Sequence, residues 1–558
     1  MAVLQEIVDL VEICHLKGIR DVIICPGSRS AALTIAFVRS KKFNCHSVSD
    51  ERSAAFIGMG IAQMTLNPVV LICTSGSAAL NFAPGISEAF FNEVPLLILT
   101  ADRPAEWIHQ YDGQTIYQDN IYGKHVKKGY SFNANALDED EKWANRRILN
   151  EAINLLNTKP YGPCHINIGI KEPFYPTILE EFIPAENLKI VKNVEINKSV
   201  EFEQLNFDKI LIVCGQMEKD DKLEKLLTEI SIKYKIPVVG DQIANISNVK
   251  NVIHYQDGFA SDLDESFRPD LLISFGRTMI SKNFKQFLRK FKADQHWHIQ
   301  ENLNLIDPFQ SLTQKIEINS ISFLDSFLKK FSNLSASKFQ NDFFEIYQQK
   351  NDLVLQKIKT FFKVENTFSD VSALKLVLDK TPDNSIFCIG NSMSVRYSNL
   401  IPSVFDKNLE VFSNRGTSGI DGCLSTAVGI AMKTTKIVTL LLGDVSFMYD
   451  RNGLWNNLLT PNLRIIVLNN GGGNIFKMID GPAQQPEVNE FFVTNQNQSA
   501  YASCLSASIE YFEAANFDLL SSNLKKFYSE SNAPKLLEIF TDSETNQSEW
   551  KRYKNFIS

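Results

Sequence analysis

Two short polar motifs, Gly443-Asp444 and Asn469-Asn470, are separated by 24 residues (445 to 468) and could hold a divalent cation with a diphosphate. Asp444 offers an anionic oxygen and Asn470 a neutral amide oxygen, and magnesium prefers such ligands. The glycines 471 to 473 allow backbone groups to approach an ion and its phosphates closely. Each motif alone is more typical of a turn. The two together predict a magnesium diphosphate site.

Apolar runs precede both motifs and predict two buried strands, 436–442 and 464–468. The segment from Ser446 to Leu459 is long enough for a crossover helix. We therefore expect the strands to be parallel neighbours whose polar ends share one edge of the sheet. Ligands bind at that edge in open α/β sheets.

A further carboxylate, Glu51, begins a helical stretch rich in Ala and Gly and follows the strand-like run 44–48. A lone Glu in the first turn of a helix is most often a favourable partner of the helix dipole. Its combination with the paired motifs resembles the thiamine-diphosphate enzymes. In that superfamily such a Glu hydrogen-bonds the aminopyrimidine ring and starts cofactor activation. The resemblance implies thiamine diphosphate and Mg²⁺ (or Mn²⁺) as cofactors.

Length and strand pattern indicate a large α/β protein of 558 residues, 44% of them hydrophobic. We predict three domains, each with a mainly parallel sheet flanked by helices, spanning residues 1–180, 200–340 and 346–558. The resemblance identifies them as the pyrimidine, central and diphosphate domains. A charged stretch from about 177 to 205 reads as a linker. The strands predicted in the third domain (385–389, 409–413, 436–442, 464–468) repeat the layout of those in the first (21–25, 45–48, 69–73, 96–100).

Net charge and hydropathy argue against nucleic-acid binding and membrane insertion. The net charge of −7 argues against nucleic acid or an anionic membrane as the main partner, because either favours a basic face. No run of 18 or more apolar residues occurs, and the N-terminus is acidic without the basic start of a signal peptide. We therefore expect a cytoplasmic protein that does not insert into membranes.

Four arginines follow predicted strands: Arg29, Arg103, Arg396 and Arg415. Ser28 precedes the first of them, where a helix N-terminus could receive an anion. A single arginine most often forms a structural ion pair. Four at matching strand ends favour a substrate with more than one carboxylate, which planar guanidinium groups bind bidentately.

These segments together resemble one family, the 2-succinyl-5-enolpyruvyl-6-hydroxy-3-cyclohexene-1-carboxylate synthases, the thiamine-diphosphate enzymes of menaquinone biosynthesis. The resemblance spans nearly the whole chain, and the central domain is its least distinctive part. It rests on Pro26-Gly-Ser-Arg-Ser30, Asp50-Glu-Arg52, Thr74-Ser-Gly76, Thr100-Ala-Asp-Arg-Pro104, Gly390-Asn-Ser392 with Arg396, Ser413-Asn-Arg-Gly416, Ser418-Gly-Ile-Asp-Gly422, Asn469-Asn-Gly-Gly472 and Ile475-Phe476.

The resemblance implies a transferase that decarboxylates 2-oxoglutarate and adds the remaining four-carbon unit to isochorismate. The residues it implies for catalysis are Glu51, Gln114, Ser392, Arg396 and Arg415. For cofactor binding they are Glu51, Thr74, Gly76, Ser392, Ser418, Gly419, Ile420, Gly443, Asp444, Val445, Ser446, Asn470, Gly472, Asn474 and Ile475. For substrate binding they are Ser28, Arg29, Arg103, Gln114, Lys282, Arg396, Arg415, Ile475 and Phe476, and for the metal Asp444, Asn470 and Gly472.

At two positions this chain differs from some relatives in a way that could change how substrate carboxylates are bound. Asn283 stands where some relatives have a basic residue, and Gly113 stands where some have Asn. The resemblance also implies a homodimer or homotetramer with sites between subunits. Two alternatives stay open. One is a carboligase of the acetolactate-synthase kind, with a flavin-binding central domain and pyruvate as donor. The other is a catalytically silent relative kept as an assembly partner.

Overall fold

The computed structural model describes residues 4–172, 175–176, 181–193, 207–301, 304–332, 342–364, 367–479 and 481–558. Three six-stranded sheets organise this part of the chain. Every strand pairing in them is parallel. The predicted fold class, three α/β units with parallel sheets flanked by helices, is confirmed.

The first sheet has the strand order β2-β1-β3-β4-β6-β5. Its strands are β1 (Asp21–Ile24), β2 (Asn44–Ser47), β3 (Val69–Cys73), β4 (Leu96–Asp102), β5 (Gly129–Asn133) and β6 (Cys164–Gly169). Its helices are α1 (Gln5–Leu16), α2 (Ala31–Ser40), α3 (Glu51–Thr65), α4 (Ser77–Asn81), α5 (Ala83–Phe91) and α6 (Glu139–Leu156). The inner strands β1, β3 and β4 are buried along their whole length, as expected for apolar strands covered on both faces.

The central sheet has the order β12-β11-β10-β7-β8-β9. Its strands are β7 (Ile210–Cys214), β8 (Val238–Gly240), β9 (Val252–Ile253), β10 (Leu271–Phe275), β11 (Gln295–Ile299) and β12 (Gln314–Ile316). The helices around it are α7 (Asp221–Tyr234), α8 (Gln256–Phe259), α9 (Lys282–Lys290) and α10 (Ser320–Ser332). Two long helices, α11 (Asp342–Val364) and α12 (Asp370–Lys380), lead from it to the third sheet.

The third sheet has the order β14-β13-β15-β16-β18-β17 and so repeats the first, as the sequence pattern predicts. Its strands are β13 (Ile386–Ile389), β14 (Glu410–Ser413), β15 (Val438–Gly443), β16 (Leu463–Asn469), β17 (Glu510–Ala514) and β18 (Lys535–Phe540). Its helices are α13 (Met393–Ser398), α14 (Cys423–Ala431), α15 (Asp444–Asp450), α16 (Ile475–Met478), α17 (Tyr501–Ser506), α18 (Phe517–Phe527) and α19 (Ser543–Ile557).

Only some of the predicted domain limits fall within the described residues. Residues 180, 200 and 340 lie outside the described residues, and residue 346 lies inside α11. That helix contacts both neighbours, because Asn351 accepts hydrogen bonds from the backbone of His254 and Phe361 packs on Tyr553. The described part of the predicted linker, 181–193, runs along the first domain. The domain limits therefore remain predictions.

The strands β15 and β16 are parallel neighbours, with Gly443 beside Leu468. Their ends therefore bring Asp444 and Asn470 to the same edge of the sheet, as predicted. The helix between the strands differs from the expectation. It begins at Asp444 and ends at Asp450, and a short 3₁₀ turn, Arg451–Leu454, follows. The carboxylate thus lies on the first turn of this helix.

The helices α3 and α14 join the first and third domains by a close crossing. A Cβ atom added to Gly60 would lie 2.1 Å from the Thr426 carbonyl oxygen, and one added to Gly429 would lie 2.1 Å from that of Ile57. Only glycine allows the two backbones to approach this closely. The hydrophobic core is shared in the same way, since one buried cluster contains residues of both helices and of both outer sheets.

Across the described residues, no helix combines the length and the apolar character that a membrane span requires.

We predict that Gly60→Ala destabilises the protein by about 1–3 kcal/mol, because the added methyl group meets backbone that cannot move aside. Gly58→Ala is the matched control in the same helix, since its Cβ would meet only side-chain atoms, the nearest being Leu71 Cδ2 at 2.5 Å. Both changes gain the same helix propensity, about 1 kcal/mol. Thermal unfolding of the two variants beside the wild type measures the difference. Equal melting temperatures for the variants would contradict the close crossing.

Candidate active site

A buried carboxylate marks the carboxyl end of β15. Asp444 is 3% exposed, and its Oδ2 accepts a hydrogen bond from Gln496 Nε2 at 3.2 Å. Burial raises the pKa of Asp444 to about 6. Among the described residues no cationic side chain pairs with it. A buried carboxylate without a counterion is costly, so a bound cation at this edge would stabilise the charged form.

The amide of Asn470 is held by two neighbours. Its Nδ2 donates to Asp370 Oδ2 at 2.8 Å, and its Oδ1 accepts from Asn474 Nδ2 at 2.7 Å. Asp370 is itself 1% exposed and also accepts from Thr541 Oγ1 at 2.6 Å. This network fixes which way the Asn470 amide faces and leaves the second lone pair of Oδ1 available.

The backbone after Asn470 requires glycine. Gly471 and Gly472 have φ angles of +80° and +148°, and a Cβ on Gly472 would lie 2.7 Å from the Val493 carbonyl oxygen. Residues that carry a side chain rarely adopt these φ angles. The chain therefore presents bare backbone beside Asp444, as the sequence predicts for the approach of an ion and its phosphates.

The loop between β14 and α14 contains the predicted Ser418, Gly419 and Ile420. Ser418 is exposed with φ +60°. Asn391 Nδ2 donates to the Gly419 carbonyl oxygen at 2.7 Å, and Ser446 Oγ donates to that of Ile420 at 2.6 Å. These contacts tie the loop to the carboxyl ends of β13 and β15, next to Val445 and Gly443. The loop and the Asp444 edge thus form one continuous surface.

Two guanidinium groups lie close together beside this surface. Arg415 Nη1 donates to Asn391 Oδ1 at 2.8 Å, and Arg396 donates to the Ser392 carbonyl oxygen. Partial burial and the neighbouring charge of Arg396 lower the pKa of Arg415. Within the described residues neither arginine forms an ion pair, and Arg415 Nε is buried without a partner. Two adjacent cations without a counterion are suited to an anionic ligand.

The central domain adds a lysine that the sequence did not single out. Lys285, half-buried on α9, lies near enough that Arg415 contributes to lowering its pKa, after burial itself and against the opposite effect of Asp241. Lys282 lies at the exposed start of the same helix. A role for Lys282 in substrate binding therefore remains a prediction.

Other predicted residues line this part of the third domain. Ser392 has φ +68° and immediately precedes α13. Ile475 begins α16, and the ring of Phe476 packs on Phe492 with centroids 5.6 Å apart. Ile475 and Phe476 are partly buried and so offer apolar surface.

In the first domain, Glu51 is the first residue of α3, and the preceding Asp50 caps the helix. Glu51 Oε2 accepts from Asn81 Nδ2 at 3.2 Å. Burial and, to a smaller extent, the Glu51 charge raise the pKa of Cys73, which places this carboxylate near the end of β3. The next residue, Thr74, has a buried hydroxyl for which the described residues provide no hydrogen-bond partner. Glu51 and Thr74 thus bring a carboxylate and a hydroxyl to the end of β3.

A second set of polar groups surrounds Gly76, which has φ +90°. Its N–H donates to Gln118 Oε1 at 2.8 Å, and Gln118 Nε2 donates to Asn167 Oδ1 at 3.0 Å. Gln114 is exposed and adjacent, with its Cα 3.4 Å from where a Gly76 Cβ would lie. Gln118 also lines a cavity of about 650 Å³ at the carboxyl ends of β4, β5 and β6.

The two arginines of the first domain are held by other parts of the chain. Arg103 donates to the Gly113 carbonyl oxygen at 2.7 Å and pairs with Asp112 at 2.8 Å. Arg29 is 6% exposed and donates to the Ile170 carbonyl oxygen at 3.1 Å. Ser28 bonds the Tyr175 hydroxyl at 2.8 Å. Because Arg103 bonds the backbone carbonyl of residue 113, this contact does not depend on which side chain that position carries.

The predicted residues thus form two groups. One surrounds Asp444 and Arg415 in the third domain, and the other surrounds Glu51 and Gly76 in the first. Among the hydrogen bonds and ion pairs of the described residues, none joins Glu51 to Asp444 or to Asn470. The two residues beside Glu51 do reach the third domain, because Arg52 donates to the Tyr449 carbonyl oxygen and Asp50 accepts from Asn452, both at 2.7 Å.

The polar groups fit a metal-bound diphosphate cofactor. No group of three or more His, Cys, Asp or Glu side chains in the described part of the chain could hold a metal ion alone. Magnesium commonly takes only one or two carboxylates and completes its shell with phosphate and water oxygens. The Asp444 carboxylate, which no cationic side chain of the described residues neutralises, and the backbone at Gly472, whose carbonyl accepts only the Asn474 N–H at 2.9 Å, match that requirement.

Sequence reasoning missed the residues that hold these groups in place, including Asn391, Gln118, Asp370 and Lys285. Asn391 belongs to the quoted Gly390-Asn-Ser392 motif, which could have indicated it. Gln118 and Asp370 carry no motif, and their partners are distant in sequence.

Comparison with known proteins gives consistent results. Residues 8–122 match the family model described as the thiamine pyrophosphate enzyme N-terminal TPP-binding domain, and residues 186–384 match the middle domain of thiamine pyrophosphate. A 2-succinyl-5-enolpyruvyl-6-hydroxy-3-cyclohexene-1-carboxylate synthase of Cytophaga hutchinsonii is 42% identical over 99% of both chains. Proteins of the same name from Flavobacterium johnsoniae (98% of this chain, 97% of the relative) and Bacteroides thetaiotaomicron (98% of both) are 36% and 31% identical.

Proposed function

Because the chain belongs to the 2-succinyl-5-enolpyruvyl-6-hydroxy-3-cyclohexene-1-carboxylate synthase family of thiamine-diphosphate enzymes, we propose that its substrates are 2-oxoglutarate and isochorismate. In the proposed reaction 2-oxoglutarate loses carbon dioxide, and its remaining four-carbon unit adds to the isochorismate ring. This is a transferase step of menaquinone biosynthesis. The cytoplasmic location expected from the sequence is part of the same proposal.

The observation that carries the substrate proposal is the pair Arg396 and Arg415. Both substrates are dicarboxylates, and two guanidinium groups without a counterion suit such ligands. Partial burial of Arg415 strengthens this recognition, because charges interact more strongly where water is excluded. Lys285 adds positive charge near Arg415.

For the cofactors, we propose that Asp444, Asn470 and the Gly472 carbonyl hold Mg²⁺ or Mn²⁺, and that Ser446 and Asn474 lie beside the diphosphate. Thiamine diphosphate, when bound, supplies the carbon nucleophile and the electron sink for the 2-oxo acid. The partly buried Ile420 would support the shape of the cofactor. The Thr74 hydroxyl and the backbone at Gly76 offer polar contacts from the first domain.

The remaining residues have roles in proton transfer and binding. Glu51 would accept and return a proton through its carboxylate. Gln114 and Ser392 would hydrogen-bond the reacting groups, and Ile475 with Phe476 would wall the isochorismate ring. Arg29, Ser28, Arg103 and Lys282 would contribute to carboxylate binding. Asn283 removes one basic group, and the nearby Lys285 is positioned to supply a positive charge in its place.

The direct experiment mixes the purified protein with thiamine diphosphate, magnesium, 2-oxoglutarate and isochorismate, with controls that lack one component each. We expect isochorismate loss only in the complete mixture, with carbon dioxide released. Pyruvate in place of 2-oxoglutarate tests the alternative donor. Isochorismate loss without 2-oxoglutarate, or turnover of pyruvate alone, would contradict the substrate assignment.

We predict that Glu51→Gln lowers turnover about 100-fold or more while thiamine diphosphate still binds, because an amide cannot exchange the proton. The matched control is Glu139→Gln, since Glu139 is also the first residue of a helix and is exposed on α6. Turnover and cofactor binding are measured on both variants. Turnover at the wild-type rate in Glu51→Gln would refute the role of Glu51.

We also propose a homodimer, or a homotetramer of two dimers, with sites between subunits. Exposed aromatic side chains on both domains support an assembly, because exposed apolar surface often marks an interface. Tyr111 and Tyr117 flank Gln114 in the first domain, and Trp455 and Phe491 are exposed in the third. Sedimentation at assay concentration should show a dimer or tetramer. A monomer with full activity would exclude sites shared between subunits.

A further inference from the structure

A buried carboxylate of the first domain, Glu88, contacts the loop of the third domain that contains Arg415 and Ser418. Glu88 lies on α5 and is 1% exposed. Its Oε1 accepts from the Gly416 N–H at 2.8 Å. Its Oε2 accepts from the Thr417 N–H at 2.6 Å and from the Thr417 hydroxyl at 2.7 Å. Hydrogen bonds to a carboxylate are stronger than those to a neutral acceptor.

No cationic side chain in the described part of the chain forms an ion pair with Glu88. The loop donors therefore supply the solvation that this charge loses on burial. Arg415 is near enough for its pKa to feel the Glu88 charge, although burial is the larger influence. Its guanidinium bonds Asn391 instead. Glu88 thus fixes the loop without pairing with Arg415, whose Nε has no hydrogen-bond partner among the described residues.

At Gly416 the loop lies so close to the backbone of α5 that no space remains for a side chain. A Cβ on Gly416 would lie 2.6 Å from the Glu88 carbonyl oxygen and 2.9 Å from the Asn92 nitrogen. Only glycine fits at this point. The loop therefore rests on helix backbone as well as on the carboxylate.

The two flanks of the loop are held by other groups. Gln216 of the central domain donates to the Ser413 carbonyl oxygen at 2.9 Å, and Ser446 holds that of Ile420. Between these flanks, the backbone N–H groups of residues 416 and 417 bond the Glu88 carboxylate. Arg415 and Ser418 are the residues on either side of that contact.

We propose that Glu88 is a positioning residue that sets Arg415 for the substrate carboxylate and Ser418–Ile420 for the cofactor. This inference rests on the proposed function for its substrate part only. The carboxylate acts through the loop and touches neither ligand. Its loss should weaken binding of both ligands together, because one loop contributes to both sites.

Glu88→Gln tests this with little change in shape, since the amide replaces one acceptor with a donor that faces backbone N–H groups. We expect the KM for 2-oxoglutarate to rise about tenfold, equivalent to about 1.4 kcal/mol. We expect the dissociation constant of thiamine diphosphate, measured by calorimetry without substrate, to rise several-fold. Glu88→Asp should recover part of both effects, because it keeps the charge.

The matched control is Glu224→Gln in the central domain. Glu224 is also buried, at 5% exposed, and accepts from the Asn248 N–H at 3.0 Å, in a different part of the fold. The Glu224→Gln substitution should lower the melting temperature without changing the KM for 2-oxoglutarate or the affinity for thiamine diphosphate. Should Glu88→Gln not fold, Thr417→Val removes one of the three bonds and should shift both constants less, in the same direction.

Wild-type KM and cofactor affinity in Glu88→Gln, with only a lower melting temperature as in Glu224→Gln, would overturn the proposal. Failure of the proposed function gives a different result, namely a wild-type protein that does not consume isochorismate. The comparison of thiamine diphosphate affinities then still decides whether Glu88 positions the loop.

Discussion

The close backbone contact between α3 and α14 is the constraint on which the rest of the site depends. Glu51 begins the first helix, and the loop containing Ile420 ends where the second begins. Because Gly60 and Gly429 remove side chains at the crossing, the start of each helix has a fixed relation to the other. The ring of Phe56 fills the remaining space against Gly422, where a Cβ would lie 2.2 Å from it. A displacement of either helix would move residues of both candidate groups.

Around this frame, charges are left without partners where a ligand would neutralise them. Among the described residues, no cationic side chain pairs with Asp444 and no carboxylate pairs with Arg396 or Arg415, although all three lie at one sheet edge. Elsewhere buried charges are satisfied within the fold, as when Glu538 accepts from the Asn469 amide at 2.7 Å. This contrast favours a functional reason for the unpaired groups, because folding alone gains nothing from them.

The sequence predicts the parts of this arrangement that depend on local pattern. The strand ends at Asp444 and Asn470, the helix start at Glu51 and the repeated layout of strands follow from apolar runs and crossover rules, and the structure confirms them. The contacts that hold the site depend instead on residues far apart in the chain. Glu88 and Gly416 are 328 positions apart, and no local pattern connects them. Lys285 was missed because only the packing of α9 reveals which of its lysines approaches Arg415.

The most direct test of the account is the affinity for thiamine diphosphate with and without magnesium, measured by calorimetry on the wild type and on Asp444→Asn. We predict saturable binding in magnesium and a loss of affinity of about tenfold or more when the metal or the Asp444 charge is removed. Asp450→Asn, in the same helix but bonded to Ser425, should leave the affinity unchanged. Equal affinity with and without magnesium, and in Asp444→Asn, would contradict the assignment of the cofactor site to this sheet edge.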